Sequence, residues 1–382
     1  MELHLTVSLT GSGYHPAAWS VSPLPVGLGV AGLQAMARTA ERGRLDAILL
    51  GLPIGGAAVG EAGGANTMQL DPLPLLGSLI AVTQRIGLGA AWSVDYTEPY
   101  HVARVFATLD HLSHGRTGWI ARMFGAGSLA PLIGRSGGPD DPAAYCARAD
   151  EFIDVVRRLW DSWEDEAYAL DKPSGMFVDP HMVHPINHVG AHFAVRGPLN
   201  VPRPPQGNPV LVQEDPTMRI GRCFAAAMAD VLLTSCAALP QAAARYRELH
   251  ALAVDRAQRP EPPLILANMM VVLEATEAAA KRRAAALDAL VPPAPGCAPR
   301  FVGTPEQFVE LVIGWGQQSA CDGINVLPAV LPTDLDALVD DVVPWLRRLG
   351  LFRSDYTGST LRDHLGLARP RSQFAGSVER VE

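Results

Sequence analysis

Ile86-Gly-Leu-Gly-Ala-Ala91, then Pro99 to Leu112, then Thr117-Gly-Trp-Ile-Ala-Arg-Met123 follow one another along the chain. The first and third segments are short, continuous apolar runs, which are typical of strands buried on both faces of a parallel sheet. The segment between them is predicted to be a helix. Together they predict one strand–helix–strand unit, and the fold depends on how often this unit recurs.

The same alternation continues along nearly the whole chain. Further helices are predicted over about 32–42, 72–83 and 143–163. The eight strand candidates are Leu3–Leu9, Leu45–Leu50, Ile86–Ala91, Thr117–Met123, Pro209–Gln213, Asp230–Ser235, Leu264–Leu273 and Gly323–Pro328. Eight such units predict a (β/α)₈ TIM barrel. A doubly wound open sheet is the alternative, but Gly11-Ser12-Gly13 is too short for its nucleotide-binding turn.

Two long stretches interrupt the alternation. Gly125–Pro142 is rich in glycine and proline, and Asp165–Gln206 is a long insertion that contains four histidines. Long loops in a compact domain are usually functional, so we expect lids over the mouth of the barrel. The predicted organisation is a barrel over residues 1–352, with the insertion at 165–206, and a C-terminal arm over 353–382.

Composition excludes several classes of function. The chain has 382 residues, 48 % of them apolar, and a net charge of −8 without a basic run, which argues against nucleic acid and against an anionic membrane as partners. It lacks both the roughly 18–20 apolar residues of a membrane span and the basic start of a signal peptide. Five widely spaced cysteines are interpreted as reduced thiols of a cytoplasmic protein.

Several motifs carry a specific resemblance. They include Leu70-Asp-Pro-Leu-Pro-Leu-Leu76, Val82-Thr-Gln-Arg-Ile-Gly-Leu-Gly89, Glu98-Pro-Tyr-His-Val-Ala-Arg104 and Leu109-Asp-His-Leu-Ser-His-Gly-Arg116. From about Leu3 to Pro370 the chain resembles the bacterial-luciferase-like flavin monooxygenases, in the branch of nitrilotriacetate monooxygenase, dibenzothiophene-sulfone monooxygenase and pristinamycin IIA synthase. The resemblance implies a TIM barrel, commonly a homodimer, that takes reduced FMN from a separate reductase and uses O₂ to oxidise a small organic substrate.

The family's cofactor residues carry over only in part. The resemblance implies FMN-binding roles for Ser93, for Tyr145, which resembles a tyrosine on the phosphate side, and for Thr217. Family members have an aspartate after the second strand, where this chain has Gly51. After Gly118-Trp119 they have an asparagine, two apolar residues, a threonine and a serine, where this chain reads Ile120-Ala-Arg-Met-Phe124.

The turn after the fifth barrel strand is a third departure. It reads Glu214-Asp215-Pro216, where the family has a glycine- and serine-rich turn whose N–H groups favour a phosphate. A like charge at ~6 Å and an effective dielectric of ~20 costs roughly 2–3 kcal/mol. The turn therefore predicts weakened FMN binding, unless Arg219, Arg222 and Arg122 turn inward and compensate.

Each candidate catalytic residue also has a structural interpretation. His15, Asp95 and Arg122 follow or end predicted strands, where barrel enzymes place catalytic groups. As a loop histidine, His15 is equally consistent with a solvated surface group. The aromatic residues Trp92, Trp119 and Phe124 either pack in the core or form a pocket for a flat apolar substrate. Histidines 181, 184, 188 and 192 fit no zinc spacing, so no metal is predicted.

Two hypotheses of function therefore stand. The first is a monooxygenase that uses FMNH₂ from a flavin reductase and acts on a secondary metabolite or xenobiotic. The second is a barrel that has lost flavin and works as a cofactor-free acid–base enzyme or binding protein, with His15, Asp95, Tyr145 and Arg122 as its polar groups. Deazaflavin use is a further alternative to FMN, and fold alone does not choose between these possibilities.

Overall fold

Parallel strands close into a barrel because each apolar run is buried between its neighbours and a surrounding layer of helices. The computed structural model describes residues 3–24, 29–52, 70–123, 141–216, 218–257, 261–293 and 298–374. Its strands are β1 His4–Leu9, β2 Ala47–Leu50, β3 Gly87–Ser93, β4 Thr117–Arg122, β5 His188–Val189, β6 Ala194–Val195, β7 Val210–Glu214, β8 Val231–Thr234, β9 Leu264–Leu273, β10 Arg300–Gly303 and β11 Gly323–Pro328.

The closed barrel has the order β1-β2-β3-β4-β7-β8-β9-β11, and β11 pairs back onto β1. All pairings within it are parallel. The register that joins the two ends of the sheet sets His4 beside Gly323 and Val7 beside Val326. The predicted (β/α)₈ barrel is confirmed, and the eight predicted strands are the eight strands that form it.

Helices follow the strands around the outside of the barrel. They are α1 Ala18–Val21, α2 Val30–Arg42, α3 Pro72–Ile80, α4 Pro99–Leu112, α5 Pro142–Asp161, α6 Arg219–Met228, α7 Leu239–Ala257, α8 Glu277–Leu290, α9 Pro305–Gln317, α10 Thr333–Ala337, α11 Val343–Arg348 and α12 Leu361–His364. The predicted helices over 32–42, 72–83, 99–112 and 143–163 correspond to α2, α3, α4 and α5. Within the described part of the chain, no helix has the length and apolar character that a membrane span requires.

Alternation along each strand separates the barrel interior from the outer core. Val210 and Val212 point inward and pack with Ile120 in an inner apolar cluster. Their neighbours Leu211 and Trp119 point outward and pack against the helices. The alternation decides which residues face the interior at the mouth of the barrel, where the carboxyl ends of the strands lie.

The amino ends of the strands are covered by the C-terminal arm. Leu361 and Leu365 of α12 belong to the inner apolar cluster and are buried. Gly87 and Gly118 make room for them, because a Cβ at Gly87 would lie 2.4 Å from Leu361 Cδ1, and a Cβ at Gly118 would lie 3.2 Å from Leu361 Cδ2. The described part of the arm therefore closes the end of the barrel opposite its mouth.

Two features differ from the sequence prediction. Strand β10 was not predicted, and it pairs with β9 outside the barrel. The insertion Asp165–Gln206 forms a hairpin of β5 and β6 that is fixed to Glu151 of α5 by His188, His192 and Phe193. The hairpin therefore packs along α5, and a role of the insertion as a lid stays a prediction. The other predicted lid, Gly125–Pro142, lies almost wholly outside the described residues.

Candidate active site at the mouth of the barrel

Polar side chains line one half of the barrel interior. Asn325 of β11 is the centre of this network: Thr6 donates to its Oδ1 at 2.9 Å, and its Nδ2 donates to Asn268 Oδ1 at 2.7 Å. Asn268 in turn donates to Ser235 Oγ at 3.2 Å. The network satisfies buried amides and hydroxyls that would otherwise be costly. It gives the mouth a polar floor on the side of β1, β9 and β11.

Arg122 and Glu214 face each other on the opposite half of the mouth. Both point inward at the ends of neighbouring strands, and Arg122 Nε lies 3.5 Å from Glu214 Oε2. Arg122 also spans the end of β3 and donates to the carbonyl of Gly51 at 3.4 Å. Its side chain is 15 % exposed. A guanidinium is therefore held in the mouth of the barrel.

Tyr14, from the loop after β1, completes a group that crosses the mouth. Its side chain is buried, and among the described residues its hydroxyl has no hydrogen-bond partner. The Ser8 hydroxyl lies close enough to influence its pKa. Burial raises the pKa of Tyr14, as does the charge of Glu214, while Ser8 and Arg122 lower it. Sequence reasoning missed Tyr14, although its position directly after a barrel strand was an available signal.

The acidic turn is neutralised by arginines. Arg245 of α7 pairs with Asp215, and also with Glu248 at 3.2 Å. Arg222 lies 3.1 Å from Glu248. Burial raises the pKa of Asp215, and Arg245 opposes that rise. Arg222 pairs with Glu248 and lowers the pKa of Asp215 through its charge, but the main partner of Asp215 is Arg245, which the sequence did not indicate. Compensation by Arg222 for FMN binding stays a prediction.

Glu214 is balanced in the same way. Burial raises the pKa of its carboxyl group, and the charge of Arg122 lowers it. Each carboxylate of the turn thus has a guanidinium beside it, and Arg219 adds an exposed positive charge at the first residue of α6. The repulsion that the sequence predicts for a phosphate is therefore largely offset.

The N-terminus of α6 retains its capacity to bind an anion. The first N–H groups of a helix have no partner within it, and Met218 at the N-cap provides no side-chain cap. A positive helix dipole end favours a phosphate there. The predicted cofactor residue Thr217 precedes this helix but lies outside the described residues, so its role stays a prediction.

Ser93, Asp95 and Tyr145 are brought together at the end of β3. The Tyr145 hydroxyl donates to Asp95 Oδ2 at 2.7 Å, and the backbone N–H of Asp95 donates to Ser93 Oγ at 2.9 Å. Arg148 donates to the carbonyl of Val94 at 3.0 Å. Three of the predicted site residues therefore form one hydrogen-bonded group on the rim, next to Arg122, which is paired with Ser93 in the strand register. Their catalytic and cofactor roles stay predictions.

His15 is placed away from solvent. It is fully buried, its Nε2 lies 3.1 Å from Asp288 Oδ1 of α8, and its Nδ1 accepts from the N–H of Ala17 at 3.2 Å. Because Nδ1 accepts from Ala17, Nε2 is the ring nitrogen that can donate to Asp288. These contacts fix the loop after β1 to α8, so the surface interpretation of His15 is wrong. Its catalytic role stays a prediction that these contacts do not favour.

Two of the three aromatic residues considered for a pocket at the mouth pack in the core instead. Trp119 is fully buried on the outer side of β4, where its ring lies 5.7 Å from Phe106 and 6.3 Å from Trp160. Trp92 also packs against the outer core. Both tryptophans therefore follow the core-packing alternative, and Phe124 lies outside the described residues. The described inner rim is polar.

The histidines of the insertion contact individual glutamates. His184 Nε2 lies 2.7 Å from Glu164, and His188 Nε2 lies 3.0 Å from Glu151. Within the described ranges, no group of three or more histidine, cysteine or acidic side chains is arranged to hold a metal ion. These histidines contribute to the packing of the insertion on α5.

Comparison with known proteins agrees with this architecture. The model of the family "Luciferase-like monooxygenase" matches residues 11–315. N-acetyl-S-(2-succino)cysteine monooxygenase of Bacillus subtilis (strain 168) is 33 % identical over 98 % of this chain and 98 % of its own. Nitrilotriacetate monooxygenase component A of Aminobacter aminovorans is 36 % identical over 88 % of this chain and 90 % of its own. The structure of EDTA monooxygenase from Chelativorans sp. BNC1 gives a TM-score of 0.85 at 29 % identity, covering 97 % of this chain and 99 % of that one.

The chain thus belongs to the luciferase-like monooxygenases, a family whose members use reduced flavin. It is an oxidoreductase built on a TIM barrel.

Proposed function

We propose that this enzyme binds reduced FMN at the mouth of its barrel, receives it from a separate reductase, and uses O₂ to oxidise a small organic substrate. The observation that carries the proposal is the neutralised acidic turn. Arg122 and Arg245 balance Glu214 and Asp215 beside an N-terminus of α6 that Met218 leaves uncapped. The similarity to a protein named as component A of nitrilotriacetate monooxygenase supports a reductase partner.

The described residues fit the two ends of FMN. The phosphate is assigned to the N–H groups at the start of α6 together with Arg219, because both supply positive potential there. The flavin ring is assigned to the mouth, where Arg122 and Glu214 lie on one side and the polar side chains around Asn325 on the other. Tyr145 and Ser93 are assigned to the rim between these two regions.

The protein's own residues have three roles in this proposal. Bound reduced flavin supplies the electrons that activate O₂ for oxygen transfer. Arg122 places a fixed positive charge in the mouth, where it stabilises negative charge on a bound ring or substrate. Apolar residues of the barrel interior, such as Ile120 and Leu233, keep water from reaching the mouth through the barrel. Asp95 orients the Tyr145 hydroxyl by accepting its hydrogen bond.

A flavin titration tests the proposal directly. Purified protein should quench the fluorescence of oxidised FMN, and photoreduced FMN should bind with micromolar affinity. Absence of binding at about 100 μM FMNH₂ would contradict the proposal and favour the flavin-independent barrel. A parallel titration with deazaflavin distinguishes a change of cofactor from the loss of one.

A homodimer is also expected, and sedimentation of the same sample measures it.

The charges around the turn give a more specific prediction. Glu214→Gln should tighten FMN binding about tenfold, because it leaves the positive charge of Arg122 without its counter-charge. Arg219→Ala should weaken FMN binding three- to fivefold, as expected for an exposed charge. Both values come from the flavin titration.

Arg38→Ala provides the matched control. Arg38 is an exposed arginine on α2, which lies on the barrel far from α6. Its removal should leave the dissociation constant for FMN unchanged. Weaker binding by Glu214→Gln would show that the carboxylate is needed at the site and would contradict the assignment of the phosphate to the start of α6 beside this turn.

A further inference from the structure

Four polar side chains form a continuous row across the barrel interior. Thr6, Asn325 and Asn268 are direct neighbours in the register of β1, β11 and β9. Ser235 continues the row just beyond the end of β8, because Leu233 faces the interior and side chains alternate along a strand. These four residues, called the polar row below, lie on four consecutive strands of the closed sheet.

The polar row is buried at one end and open at the other. Asn325 is fully buried, and Thr6 and Asn268 are 3 % and 8 % exposed. Ser235 is exposed. It follows β8 at the carboxyl end of that strand, beside the strand that carries Glu214 into the mouth. Ser235 is therefore the member of the polar row that a molecule in the mouth can touch.

The hydrogen bonds of the polar row run in one direction. Thr6 donates to Asn325 Oδ1 at 2.9 Å, and Asn325 Nδ2 donates to Asn268 Oδ1 at 2.7 Å. Asn268 Nδ2 then donates to Ser235 Oγ at 3.2 Å. A hydroxyl oxygen that accepts a hydrogen bond still has its own hydrogen to donate. Within the described ranges, no residue accepts that hydrogen from Ser235, so the polar row presents a hydrogen-bond donor at the mouth.

A flavin ring has one edge that matches such a donor. Its pyrimidine part carries two carbonyl oxygens, whereas the opposite edge carries methyl groups. The methylated edge, placed against the polar row, would remove water from hydroxyl and amide groups without replacing their hydrogen bonds, which is costly. The pyrimidine edge is therefore the one that fits beside Ser235.

We propose that Ser235 donates a hydrogen bond to a carbonyl oxygen on the pyrimidine edge of bound FMN, and that Asn268 is a positioning residue that orients the Ser235 hydroxyl. This assignment rests on the proposed binding of FMN at the mouth. Reduced FMN is an anion at neutral pH, and its charge is shared between N1 of the ring and the adjacent carbonyl oxygen. Hydrogen bonds to a charged acceptor are roughly twice as strong as those between neutral groups. Ser235 therefore stabilises reduced FMN more than oxidised FMN.

Flavin titrations of Ser235 variants test the contact. Ser235→Ala should weaken the binding of photoreduced FMN about tenfold and that of oxidised FMN about threefold, because only the reduced ring is charged. Ser235→Thr keeps the hydroxyl and should bind both forms as the wild type does. Ser354→Ala removes an exposed serine of the C-terminal arm, at the opposite end of the barrel, and should change neither affinity. Equal affinities of Ser235→Ala and the wild type for reduced FMN would overturn the proposal.

Riboflavin separates the ring contact from the phosphate contact, because it has the same ring and no phosphate. Ser235→Ala should weaken riboflavin binding by the same factor as the binding of oxidised FMN, whereas Arg219→Ala should leave it unchanged. A wild-type protein that binds no flavin would overturn the proposed function and this assignment together. A wild-type protein that binds FMN, with riboflavin affinity unaltered by Ser235→Ala, would overturn the assignment of Ser235 alone.

Asn268→Asp tests the direction of the polar row. A carboxylate has no hydrogen to donate, so Ser235 must donate to it and turn its hydrogen away from the mouth. The preference for reduced over oxidised FMN should then fall as in Ser235→Ala, although the serine is retained. In a Ser235→Ala background, Asn268→Asp should weaken the binding of reduced FMN clearly less than it does in the wild type. Equal weakening in both backgrounds would show that the new charge acts by repulsion alone, and it would overturn the positioning role of Asn268.

Discussion

Truncation of the chain after Phe352 is expected to abolish folding. The described part of the arm that follows supplies Leu361 and Leu365 to the inner apolar cluster. Loss of each buried leucine costs roughly 2–5 kcal/mol. Truncation also removes Arg353 from the fully buried Asp46, which keeps only His4 and the N–H of Leu5 as partners, and breaking a buried ion pair costs roughly 3–5 kcal/mol. Together these losses are comparable to the ~5–15 kcal/mol that stabilises a domain.

Circular dichroism during urea denaturation measures this effect. The truncated chain should show no cooperative transition. In the full chain, Leu361→Ala should lower the free energy of unfolding by about 2–5 kcal/mol, whereas Leu367→Ala, at a partly buried position of the same arm, should cost clearly less. A cooperative unfolding transition in the truncated protein would show that the arm is dispensable.

Acidification is expected to destabilise the protein through His364. Its side chain is 3 % exposed, and both of its ring nitrogens lack hydrogen-bond partners among the described residues. Burial, together with the charges of Arg353 and Arg85, lowers the pKa of His364 to about 4, while the charges of Asp46 and Asp363 act in the opposite direction. Between pH 6.5 and 4, the unfolded chain therefore binds a proton that the folded chain does not.

The stabilising contribution of neutral His364 is therefore present above pH 6.5 and is lost as the pH falls towards 4. The loss amounts to about 3 kcal/mol. His364→Phe keeps the ring beside Tyr356, whose centroid lies 4.6 Å away, and removes the titrating group. Compared with this variant, the wild type should lose about 3 kcal/mol more between pH 7 and 4 in urea titrations.

A matched histidine controls for general acid effects. His101→Phe replaces an exposed histidine of α4 and should leave the pH dependence of unfolding as in the wild type. The account would fail if His364→Phe and the wild type lost stability in parallel as the pH fell.

The barrel could be predicted from the sequence because strands and helices are specified by the pattern of apolar residues within each segment. Each strand is a continuous apolar run, and the bounds of α4 and β9 agree with the prediction at both ends. The direction of a side chain was harder to predict, because a shift of one residue along a strand reverses the face it occupies. Trp119 was considered for the mouth, yet it points outward, while Ile120 and Arg122 point inward.

The ion-pair partners of the acidic turn could not be predicted from the sequence for a different reason. Asp215 and Arg245 are separated by 30 residues and meet only when α7 packs against α6, the helix that follows the turn. Tyr14 approaches Arg122 and Glu214 from the far side of the barrel. Such contacts depend on the closed fold, so the sequence identified the acidic residues but not their partners.

Closure of the barrel between β1 and β11 has a consequence for biosynthesis. Thr6 and Asn325, which bond across this seam, are 319 residues apart. On the ribosome, the amino-terminal strand is made first and keeps an open edge until nearly the entire polypeptide has been translated. The nascent chain is therefore exposed to aggregation throughout its elongation. We expect its yield in cells to depend on chaperones that shield this first strand.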